Sequence, residues 1–97
     1  MYMVISKWEF DPASEGVVKD KARRMMQQIR AWDGVESAFN VRTSPGSVLA
    51  VIGYRDEATY QRLIQDPNGP FEKAAQESGI EQEAQWKWSE RGEVEEA

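Results

Sequence analysis

The chain opens on a segment, Tyr2–Phe10, in which apolar residues occupy both parities: Tyr2, Val4, Trp8 and Phe10 on the even positions, Met3 and Ile5 on the odd ones. This pattern predicts a β-strand covered on two sides, because successive strand residues face opposite ways. Asp11-Pro12 ends it. Asp11 or Ser14 can then cap a helix whose first turn accommodates Pro12. Val17, Val18, Ala22, Met25, Met26, Ile29 and Trp32 recur at three- and four-residue steps and form one apolar stripe. Lys19, Arg23 and Arg30 lie off that stripe, and Asp33-Gly34 stops the helix.

The second half repeats the logic. Val35–Thr43 alternates Val35, Ser37, Phe39 and Val41 with Glu36, Ala38, Asn40 and Arg42, as a half-buried strand would. Ser44-Pro45-Gly46-Ser47 is a turn leading to a second strand, Val48–Tyr54, and the two read as a hairpin. That later strand sets Val48, Ala50, Ile52 and Tyr54 on one face and Leu49, Val51 and Gly53 on the other. Asp56 caps a helix carrying Ala58, Tyr60, Leu63 and Ile64, and Asp66–Pro70 breaks it. A short helix resumes over Phe71–Ser78 with Phe71, Ala74 and Ala75 inward, and Gly79 stops it. A last strand, Gln82–Ser89, places Ala84, Trp86 and Trp88 together on one face.

The resulting order, βαββαβ, predicts an α+β, ferredoxin-like fold: an antiparallel sheet with helices on one face. Two helices cannot cover both sides of such a sheet. The apolar residues left on the open side of the first and third strands therefore predict a homodimer, packed sheet to sheet. The domain spans residues 1–89, and residues 90–97 read as an acidic flexible tail.

Composition adjusts this picture. Only two Leu serve the chain, against four Trp, four Met and three Tyr, so aromatic and thioether side chains must fill a thin core. Of the net charge of −5, −3 falls in residues 89–97, four Glu against Arg91. The basic cluster Lys19, Lys21, Arg23, Arg24 and Arg30 is interrupted by Asp20 and reads as a solvated helix face, which argues against nucleic-acid binding. No segment has the make-up of a signal peptide or a membrane span, so a cytoplasmic protein without membrane attachment is expected. The sequence contains neither Cys nor His, which excludes disulfides, thiolate metal sites, thiol nucleophiles and imidazole catalysis. Neither a metal nor a cofactor is expected.

Several residues carry the resemblance that follows: the first strand running into a Pro-containing helix entry, Gly34-Val35 opening the second strand, Tyr54-Arg55-Asp56-Glu57-Ala58, and the helix resuming at Phe71. With the element order, they make residues 2–89 resemble the dimeric α+β barrel superfamily, especially proteins similar to the antibiotic-biosynthesis monooxygenases and their haem-degrading relatives. The resemblance implies a dimeric α/β barrel with a pocket between sheet and helices, where Asn, Trp, Tyr and Arg side chains hold a substrate. The haem-degrading branch uses an Asn, a Trp and a His. Ser6, Arg62 and Ala75 or Gln76 stand at about those places here, so a His-ligated haem is excluded.

Candidate substrate contacts are Ser6, Trp8, Tyr54, Tyr60, Arg62 and Trp86, with no residue assigned as catalytic. Trp8, Trp86 and Trp88 could line a slot for a flat aromatic ligand, or simply fill core and interface. Arg62, with Tyr54 and Tyr60, could bind an anionic or enolate oxygen, or lie on an exposed helix face. Ser6 is a pocket donor or a satisfied buried hydroxyl. Asn40 and Arg42 face either a cavity or a wet dimer rim. Asp66–Pro70 is a helix break or a lid. Three functions are open: a cofactor-independent monooxygenase-like enzyme acting on a small aromatic compound, a non-catalytic module binding a small hydrophobic or aromatic ligand, and a structural dimer. A cavity of a few hundred cubic ångströms would set the first two above the third.

Overall fold

A computed structural model describes residues 1–65 and 70–95, with backbone only at 70 and 71. The strands are β1 (Tyr2–Phe10), β2 (Val35–Ser44), β3 (Ser47–Tyr54) and β4 (Ala84–Glu93). The helices are α1 (Glu15–Arg30), α2 (Glu57–Gln65), α3 (Pro70–Ser78) and the one-turn α4 (Ile80–Glu83). The strands form one antiparallel sheet in the order β2-β3-β1-β4, with helices over one face. This is the ferredoxin-like arrangement that the alternation predicts. The break at Asp66–Pro70, its lid alternative and the inward placing of Phe71 lie outside the described residues.

Local chemistry explains the element boundaries. Asp11 caps a 3₁₀ turn at Pro12–Ser14, accepting a 2.9 Å hydrogen bond from the Ala13 amide, whereas Ser14 makes no side-chain cap. Asp56 caps α2, with Oδ1 accepting from the Thr59 amide at 2.8 Å and from its hydroxyl at 2.6 Å. Gly34 adopts φ +93°, and a β-carbon there would stand 2.3 Å from Cγ2 of buried Thr59. Only glycine permits both that backbone angle and that approach.

The core lies between α1 and the sheet. Val18, Met25, Met26 and Ile29 of the α1 stripe pack on Val4, Ile52 and Tyr54, with Leu63, Ala74, Ala75 and Ile80 closing the far side. Ile29 is fully enclosed, and truncating such a residue to Ala costs about 2–5 kcal/mol.

Four sequence readings need correction. Gln82 and Glu83 belong to α4, so the last strand begins at Ala84. It then continues through Glu90–Glu93, given above to the acidic tail, because β1 needs a partner along its whole length and Tyr2 pairs with Glu93. A charged strand is tolerated there because β4 is an edge, solvated on its outer side. Nor do Trp86 and Trp88 share a face. The register slips between Lys7 and Trp8, so that Trp8 pairs with Trp86 but Lys7 with Trp88, and the extra residue reverses the alternation. A similar slip between Val35 and Ser37 separates Val35, packed on the core, from Phe39 and Val41.

The face of the sheet away from the helices is apolar in two adjacent rows. Ile5, Val51 and Phe39 make one, ended by Glu90, and Leu49, Val41 and Trp88 the other, with Lys7 between Leu49 and Trp88. Phe39, Val41 and Trp88 are each more than two-fifths exposed in the single chain.

Candidate active site

Between α1, α2 and the sheet lies a cavity of about 380 Å³, within the roughly 300–1,000 Å³ of small-molecule sites. The even positions of β1 (Val4, Ser6 and Trp8) and of β3 (Val48, Ala50, Ile52 and Tyr54) form its floor, and Val18, Ala22, Met25, Met26 and Ile29 of α1 its roof. Most of the wall is therefore hydrocarbon or aromatic. That volume sets the two ligand-binding readings above a purely structural dimer.

Ser6, Trp86, Ser89 and Arg91 converge on one side, at β1 and β4, while Asn40 stands on β2 and Glu81 on α4. Ser6 Oγ and Ser89 Oγ are 2.6 Å apart, and the Trp86 indole donates to Ser89 Oγ at 2.8 Å. The two hydroxyls hold two protons, and only one lies between them. Since the indole already donates into the pair, one hydroxyl proton remains for an acceptor in the cavity. Arg91 follows on the same face of β4, its guanidinium carbon 5.8 Å from the centre of the Tyr60 ring, within cation–π range.

Tyr60 in turn packs on Tyr2 and Tyr54, with ring centres 5.3 and 5.2 Å away. Tyr54 is only 1% exposed. Burial first, and then the neighbouring Tyr60, push its phenol far above the usual tyrosine range. Near neutrality it is a proton holder rather than a base. Glu81 is the one carboxylate among the described residues of the cavity wall. No group of three or more potential metal-ligating side chains occurs among the described residues.

Five of the six candidates from the sequence, Ser6, Trp8, Tyr54, Tyr60 and Trp86, meet at this cavity. Trp86 stands at its edge, 57% exposed. Arg62 does not join them: it lies on the exposed side of α2, outside the wall. The cavity's cation is Arg91, hidden from sequence reading by its place in the acidic end of the chain. Ser89 was also missed, because the bulge at Lys87 determines its face. Asn40 lines the cavity, while Arg42 pairs with Glu15 of α1, so both project to the helix side and away from the open face.

No family model matches the chain, and comparison with curated proteins finds no match. Solved structures do match over nearly the whole length. One from Deinococcus radiodurans, assigned to the antibiotic biosynthesis monooxygenases, has a TM-score of 0.77 at 14% identity, covering 100% of this chain and 95% of its own. The chain has the fold of these structures. SnoaB, a cofactor-independent oxygenase from Streptomyces nogalater, shares this fold with a TM-score of 0.65 at 15% identity, covering 99% of this chain and 94% of its own. Rv0793 from Mycobacterium tuberculosis does so at 0.73 and 15%, over 99% and 97% of the two chains. No helix among the described residues is long and apolar enough to cross a membrane.

Proposed function

We propose that the chain is a homodimeric, cofactor-independent oxygenase-like enzyme acting on a small aromatic compound that carries a hydroxyl or carbonyl oxygen. The observation that carries this reading is the gathering of Ser6, Trp86, Ser89 and Arg91 at one wall of a mostly apolar cavity. Apolar walls hold a flat ring by burial, and a few directed donors fix its orientation. The likeness in fold to an oxygenase supports the choice of chemistry only by analogy.

The reaction expected is oxidation of an activated methylene to a carbonyl. Glu81 takes a proton from the substrate, and the negative charge moves to the ring oxygen. The free hydroxyl of the Ser6–Ser89 pair and the Arg91 guanidinium stabilise that oxygen, as donors aimed at the developing charge. Dioxygen then accepts the substrate's electrons. One of its atoms becomes the new carbonyl oxygen, and the other leaves as water with the two methylene hydrogens. The second copy of the chain covers the apolar sheet face, away from this chemistry.

Oxygen uptake in the presence of anthrone tests the reading. Consumption of one dioxygen per anthraquinone formed, above the rate without protein, is the expected result. Binding of anthrone without uptake would replace the enzyme with a non-catalytic binding module.

A further inference from the structure

A second cavity, of about 640 Å³, lies between α1 and β2. It shares Val18, Ala22, Met26, Asn40 and Val48 with the first, so the two are neighbouring chambers with a common wall. Their linings differ in kind. The first is apolar apart from the serine wall, Asn40, Glu81 and Arg91, whereas the second carries Lys19, Arg23, Arg30 and Arg42 against Glu15 and Asp20. Its rim therefore holds two more positive than negative groups, on a chain whose net charge is −5.

Two of the four cations are already paired: Arg42 with Glu15, and Arg23 with Asp20 at 2.9 Å. Arg30 differs. Its Nε donates to the Ala38 carbonyl at 2.7 Å, which lays the side chain along β2. Its terminal nitrogens have no partner among the described residues, and Lys19 has none either. Asn40, in the common wall, adds an uncharged amide beside them.

We propose that the two chambers form one composite site for an amphiphilic anion, with the ligand's apolar body in the first and its carboxylate or sulfonate in the second, against Arg30 and Asn40. This assignment rests on the reading of the first cavity as a ligand site, and adds a requirement for negative charge at one end of the ligand. A planar guanidinium held at one nitrogen presents the others as a fork suited to such groups. Two interrupted stretches of sequence build the site, which is why the basic residues of α1 alone read as a solvated face.

The test compares two probes with the same ring system, 8-anilino-1-naphthalenesulfonate and uncharged N-phenyl-1-naphthylamine, by fluorescence titration. The sulfonate should bind the more tightly, and added salt should weaken the sulfonate alone. Arg30→Gln should reduce sulfonate affinity by about five-fold and leave the amine unchanged, while Arg30→Lys retains most of the difference. The lysine variant also guards against a folding defect. Equal affinities for the two probes, unmoved by Arg30→Gln, would overturn the composite site while leaving the first cavity intact. If neither probe bound, the composite site and the cavity reading beneath it would both fall.

Discussion

Ser6 on β1 and Ser89 on β4 lie directly across the sheet from one another, with their hydroxyl oxygens 2.6 Å apart and the Trp86 indole bonded to the second of them. The pair ties the edge strand to the cavity floor and leaves one donor for a ligand. Ser89→Ala removes both bonds and disarms the donor. Affinity for an oxygen-bearing aromatic such as 1-naphthol should fall about three- to ten-fold, with about 1 kcal/mol lost in stability. Calorimetric titration and thermal melts read these separately. Unchanged affinity would remove the serine pair from the site.

Tyr54 predicts behaviour at high pH. Its phenol is raised in the folded protein by burial and by Tyr60, and has an ordinary value near 10 when unfolded. Stability from this group is therefore complete below about pH 10 and declines above it, as the unfolded chain loses a proton that the folded chain keeps. Tyr54→Phe should flatten the alkaline limb of the melting curve. In a spectrophotometric titration of the folded protein, the Tyr54 phenol should ionise above the range of a free tyrosine.

Asp56 gives the opposite limb. Its carboxyl is held below the usual aspartate range, first by the Thr59 hydroxyl, then by the Thr59 amide. Stability is present above the unfolded value near 4 and is lost as pH falls through the lowered folded value. Asp56→Ala removes the helix cap and should lower Tm by about 4–8 °C near neutrality. That difference should shrink in acid, where the wild-type cap is protonated too.

The fold was legible because the apolar periods of Tyr2–Phe10, Val48–Tyr54 and the α1 stripe, apart from exposed Val17, match the structure. What escaped the sequence was local register. A one-residue slip reverses every later side chain, so Trp88 parts from Trp86, and Ser89 and Arg91 turn toward the cavity. Alternation counted along a strand cannot reveal an extra residue, because bulging depends on the partner. The same limit explains choosing Arg62 over Arg91. Both are charged and unremarkable in sequence, and only the pairing of β1 with β4 brings one of them to Tyr60.

Val41 tests the proposed dimer. It is 42% exposed in the single chain, so Val41→Glu introduces no buried charge into the fold. On a sheet face packed against its own copy, that charge would be desolvated and dissociation strongly favoured. Light scattering should show two chains for wild type and one for the variant, with unchanged circular dichroism. A wild-type monomer would refute sheet-to-sheet assembly.

The central claim, that the cavity between helices and sheet is the ligand site, is tested most directly by amide and indole NMR during titration with 1-naphthol. The four tryptophan indoles mark different places: Trp8 and Trp86 at the cavity, Trp88 on the open face, and Trp32 at the end of α1. The account predicts shifts of the Trp8 and Trp86 indoles and of the Ser6, Ala50 and Ser89 amides, with Trp88, Phe39 and Val41 still. Shifts centred on Trp88, Phe39 and Val41, or no shifts at all, would contradict it.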